Sequence, residues 1–179
     1  MKQYNETSCK NYKYELNCKY NGISEKEFKK LIFKNHIVAY GLPKNQALKC
    51  VWSFRLYLSS GEILILSSKC SSVGGWDEVG YLSIDFKENV DDLNSDKFIK
   101  TTIESFRVID FALLIYDERD IYSEAGICFY DDLGSKIIGI AAPAPGALTI
   151  RMPNIKNEFE PEFLISDYQI KIQNKGITS

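Results

Sequence analysis

Hydrophobic and polar positions along the chain follow two different periods. From Ser24 onward, Phe28, Leu31 and Ile32 fall on one stripe of a helical repeat, and Ser24-Glu25-Lys26-Glu27 has the form of a capping box. An amphipathic helix is therefore predicted over about residues 24–34, with Lys29, Lys30 and Lys34 placed toward its C-terminal end to complement the helix dipole. Beyond it the period drops to two. Val51–Leu58, the turn Ser59-Ser60-Gly61-Glu62 and Ile63–Leu66 read as a β-hairpin, and Ala125–Tyr130, Asp131-Asp132-Leu133-Gly134 and Lys136–Ala141 read as a second.

Single strands are predicted at Val79–Phe86 and Ser105–Tyr116, at Ala147–Met152 after the Pro143/Pro145/Gly146 break, and at Tyr168–Ile172. Short strands with one early helix predict a mainly β (α+β) fold. The expected architecture is an antiparallel β-sandwich or open barrel with one N-terminal helix, in a single domain over 1–179 with residues 1–22 as a flexible arm. The polar segment Lys87–Lys97 reads as a loop.

Composition agrees with a packed core: 45% of the 179 residues are apolar and 13% aromatic, too many for a disordered chain. No apolar run approaches the roughly 20 residues that cross a bilayer, and Met1–Tyr20 lacks the apolar centre of a secretory signal. A soluble, cytoplasmic protein is expected, with no membrane partner. Cys9, Cys18, Cys50, Cys70 and Cys128 are an odd set without a Cys-x-x-Cys pair, which predicts reduced thiols. Cys50 and Cys128 lie in apolar runs and are expected in the core.

Charge is unevenly spread. Residues 1–76 hold twelve Lys/Arg against five Asp/Glu, residues 77–134 five against fifteen, and residues 135–179 five against four. An overall charge of −2 thus conceals an acidic middle, which bears on partners and association rate.

Chemistry is sparsely signalled. His36 is the single histidine, so His-rich zinc sites are excluded and every Ser–His or Cys–His scheme depends on that one ring. The Asp91–Asp96 stretch lacks the turn glycine and closing Glu of an EF-hand loop. Neither glycine-rich phosphate loop occurs, and Gly74-Gly75-Trp76 reads as a backbone kink that drops the indole onto the sheet. Lysines interleaved with tyrosines in the first 76 residues have the elements of single-strand binding, but arginine is scarce and the acidic middle opposes phosphate. No catalytic residue, cofactor, metal or nucleic-acid partner is predicted.

Three stretches, Ser71–Gly80, Ala125–Ile150 and Phe159-Glu160-Pro161-Glu162-Phe163, together resemble the immunity proteins of bacterial contact-dependent growth inhibition, encoded in polymorphic-toxin neighbourhoods. The likeness spans residues 50–168. It implies a non-enzymatic, cytoplasmic protein that neutralises a cognate, nuclease-type toxin domain by covering its active site. Such a toxin is basic because it holds phosphate, so an acidic inhibitor surface would steer association. The implied contacts are Asp77, Glu78, Asp91, Asp92, Asp117, Glu118, Asp120, Asp131 and Asp132. The rival expectation is a ligand-binding or hydrolytic β-barrel whose pocket uses Trp52, Tyr57, Trp76 and a carboxylate.

Overall fold

A computed structural model describes residues 8–10, 13–73, 76–88, 97–118, 120–141, 146–156 and 158–173, the side chains of residues 8–10, 76 and 77 excepted. The chain runs β1 (Ser8–Lys10), β2 (Lys13–Leu16), β3 (Lys19–Asn21), α1 (Glu25–Lys34), β4 (His36–Pro43), β5 (Ser53–Leu58), β6 (Ile63–Val73) and β7 (Trp76–Lys87). It continues through β8 (Phe98–Arg107), β9 (Asp110–Glu118), β10 (Ile121–Tyr130), β11 (Lys136–Ala141), β12 (Leu148–Arg151) and β13 (Gln169–Ile172).

Six strands form one sheet in the order β3-β7-β6-β5-β4-β8. In the second sheet β13 pairs with β9 and β9 with β10. The other side of β10 is shared: β2 pairs with Ile121–Ser123, while β11, followed by β12, pairs with residues 126–130. The pairs β2–β10 and β3–β7 are parallel and all others antiparallel. Among the described residues both sheets stay open and one α-helix forms, so the architecture is a mainly β sandwich, not a barrel.

The sandwich interior joins Phe111, Leu113, Ile127 and Phe129 of one sheet to Phe54, Leu56, Leu66 and Leu82 of the other. Helix α1 adds Phe28 and Ile32, both fully buried, each contributing roughly 1.5–3 kcal/mol by leaving water. On the opposite face of the β9–β10 sheet, Leu114, Tyr116 and Ile138 pack under the C-terminal segment through Phe163 and Tyr168. Burial on both faces explains why Phe111–Tyr116 and Ala125–Phe129 are continuous apolar runs without alternation.

The helix begins at its capping box as the sequence predicts: the Glu27 amide donates to the Ser24 hydroxyl, and the Glu27 carboxylate accepts the Ser24 amide at 2.9 Å. Both hairpins also form, with Tyr57 opposite Ile63 and Tyr130 opposite Lys136. The expected strand Ser105–Tyr116 is instead two. Val108 and Ile109 turn the chain from β8 in one sheet to β9 in the other, and the Ile109 amide donates to the Tyr130 carbonyl at 2.9 Å. Neither Gly nor Pro marks this corner, which is made of buried Val108 and exposed Ile109.

Residues 13–21, expected as part of a flexible arm, make two strands that link the sheets: β2 lies against β10, and β3 against β7. Glu124 satisfies the backbone at the crossover between them. On the outer face of the six-stranded sheet, Gly41 in β4 has no side chain to separate its neighbours. Arg55 therefore stacks on the Phe98 ring at 3.4 Å and Lys100 on the Tyr57 ring at 4.3 Å, from strands on either side of β4.

Cys128 is buried as expected. Cys50 is exposed, because it closes a turn bridged to Ala47 while its neighbour Val51 takes the core position. No helix among the described residues is long and apolar enough to cross a membrane.

Candidate functional site

One end of the sandwich gathers acidic side chains over an aromatic base. Tyr116, at the end of β9, stacks on Phe163 with ring centroids 4.7 Å apart, and Tyr168 meets both rings edge-on at 6.5 Å. The Tyr116 hydroxyl donates to Glu118 at 2.5 Å. Burial raises the Tyr168 phenol to about 12, with the Glu162 charge adding to the shift. These contacts place exposed Glu118, Glu162 and Asp167 around one cluster of rings. Between the last two, Leu164 stands 72% exposed. Leu164 follows Phe163 directly, so an exposed apolar residue adjoins these acidic and aromatic groups along the chain.

The nominated acids divide between the two ends of β10. Asp117, Glu118 and Asp120 lie at the β9–β10 turn, and Glu78 stands exposed on β7, two residues before Gly80, whose carbonyl accepts the Ser123 hydroxyl. Asp117 is engaged within the fold, paired with Lys13 of β2 and accepting from Gln169 at 3.3 Å. Asp131 and Asp132 sit beyond Tyr130, a full strand away. Asp131 is also committed, since its carboxylate accepts the amides of Leu133 and Ser135 and shapes the hairpin turn. Asp91 and Asp92, and the side chain of Asp77, lie outside the described residues.

The aromatic pocket of the rival expectation is not assembled around Trp52, which is 69% exposed, or Tyr57, which is occupied by Lys100; the Trp76 side chain lies outside the described residues. A different pair does meet. His36 Nδ1 lies 2.8 Å from the hydroxyl of Ser105, in a widened bulge of β8 where residues 102 and 106 oppose 39 and 37 of β4. The bulge lines an open cleft of about 300 Å³ that also holds Asp132, Leu133 and Ile155. Among the described residues no carboxylate pairs with His36 to orient it, so the pair lacks the third member of a hydrolytic triad.

Sequence reading missed Glu162, Leu164 and Asp167 as site residues. The return of the Phe159–Phe163 stretch over Tyr116 is a tertiary event that no local period encodes. No protein-family model matches the chain, and the searches of curated proteins and of solved structures found no match either.

Proposed function

We propose that this protein is a non-enzymatic inhibitor of the immunity type. It neutralises a basic protein partner, a toxin domain encoded beside it, by covering the toxin's active site with the acidic end of the sandwich. The observation that supports this reading is the grouping of exposed Glu118, Glu162 and Asp167 near the Tyr116–Phe163–Tyr168 ring cluster, with exposed Leu164 between the last two along the chain. Acidic groups accelerate encounter with a phosphate-binding protein, and Leu164 supplies the desolvated contact that slows release.

The test is to express the neighbouring toxin domain with this protein, scoring cell growth and the affinity of the purified pair. Protection and a salt-weakened complex are expected. Glu118→Lys with Asp167→Lys should slow association about tenfold or more, and Leu164→Ala should speed dissociation. Full protection by both variants overturns the reading.

A hydrolytic reading has one observation in its favour, the His36–Ser105 contact at 2.8 Å. Labelling of Ser105 by a fluorophosphonate probe, lost in His36→Ala, would favour it over inhibition.

A further inference from the structure

The opposite end of the β9–β10 sheet carries a concavity of about 590 Å³ whose charged lining residues are Lys136, Arg151 and Lys156. Strand register assembles it. Lys136 lies opposite Tyr130, and its neighbour on the same face, Ile138, lies opposite Arg151, so both cations rise from one side of the β11–β12 pair. The chain then turns through Asn154, which holds a positive φ of 59°, and returns Lys156 to the same hollow. Lys136 is steadied over the Tyr130 ring at 5.3 Å, and buried Ile138 and Met152 contribute to the lining.

Among the described residues no carboxylate lines this hollow; Asp131 and Asp132 line the neighbouring cleft. Among the described residues none of the three cations makes a salt bridge, in contrast to Lys49, which holds both Glu158 and Glu160. The site is open, so each cation acts through water and contributes little on its own against a single charge. A monovalent anion therefore gains little there. A small anion with several charges engages all three cations at once, and the planar fork of Arg151 suits paired phosphate oxygens.

We infer that this hollow is a binding site for a small, multiply charged phosphate compound of the pyrophosphate or phosphate-ester class. It is independent of the acidic end and of the proposed inhibitor function.

The experiment is calorimetric titration of the whole protein with inorganic pyrophosphate at low ionic strength, beside titration with chloride. Saturable binding of one pyrophosphate per chain is expected. It should weaken about tenfold or more in Arg151→Gln with Lys156→Gln, as loss of a charge-assisted hydrogen bond requires. Binding should be unchanged in Lys49→Gln, a lysine engaged elsewhere. The three side chains are exposed, and circular dichroism verifies that the variants stay folded. Absence of binding, or an equal loss in Lys49→Gln, overturns the inference, the latter by revealing a net-charge effect. Salt-sensitive self-association in sedimentation that Arg151→Gln abolishes also overturns it, because the occupant is then the acidic end of a second copy.

Discussion

The carboxylate of Glu124 accepts the backbone N–H of Cys18 at 2.8 Å, across 106 residues of sequence. Cys18 lies where the chain leaves β2 for β3, between two ladders, and a side chain supplies the acceptor that neither sheet offers it. The other carboxylate oxygen accepts from Lys171 at 3.1 Å and from the Tyr122 hydroxyl at 3.4 Å. Glu124 is the one carboxylate buried among the described residues, at 6% exposure. With every partner directed at it, its role is to hold three chain segments together.

Glu124→Gln should therefore destabilise by about 2 kcal/mol, the scale of a hydrogen bond to a charged acceptor. Urea unfolding measures this as a lower midpoint at an unchanged slope. In a double-mutant cycle, Lys171→Met should lose less stability in the Glu124→Gln background than in the wild type; simple additivity would show that the pair is not coupled.

Burial beside Glu124 also sets an alkaline limit. Desolvation, followed by the Glu124 charge, pushes the Cys18 thiol far above its ordinary value, and desolvation followed by the Cys18 charge does the same to Tyr20. A group bound more tightly to its proton in the folded state contributes stability below its ordinary pKa and loses it as pH rises toward the folded value. Stability should hold up to about pH 9, where free thiols titrate, and decline above it. The urea midpoint followed from pH 7 to 11 measures this, and Cys18→Ala should decline less between pH 9 and 10. A flat wild-type profile to pH 11 contradicts the assignment.

The helix cap responds in the opposite direction. The Ser24 hydroxyl and amide hold the Glu27 carboxyl below the usual carboxylate range. Its contribution is thus present at neutral pH and is lost on acidification through the folded pKa. Removing the cap with Ser24→Ala should lower stability by about 1 kcal/mol at pH 7. Thermal unfolding at pH 7 and at pH 3 tests both points, the variant differing less from the wild type in acid.

Gly126 follows the bulge in β10, where a Cβ would stand 2.7 Å from the Gly139 carbonyl oxygen of β11. Backbone, unlike the end of a flexible side chain, has little room to yield. Gly126→Ala should destabilise by about 1–3 kcal/mol, measured as a reduced midpoint in urea. A neutral result would mean that the two strands slide apart at little energy.

Elements encoded over a few residues are legible in the sequence. Ser24 and Glu27 stand three positions apart and bond to each other, and each hairpin carries its own turn residues. Strands β2 and β3 were not legible. Each is three or four residues long, Lys-Tyr-Glu-Leu and Lys-Tyr-Asn, too short for a period to emerge, and each pairs with a partner far along the chain. The same distance hid the fate of Asp117, because only the β2–β10 pairing brings Lys13 to it. Likewise the contact between His36 and Ser105 spans 69 residues, and one histidine in isolation gave no sign of it.

Parallel pairing of the opening strands has a consequence for the order of events during synthesis. When β2 and β3 leave the ribosome, their partners β10 and β7 have not been made, and only α1 and the strands that follow close by can form local structure. β3 stays without its partner until translation passes Lys87 and β2 without β10 until it passes Ser123, so each of these pairings closes a long loop. The polar composition of the leading residues keeps the nascent chain from clumping while it waits.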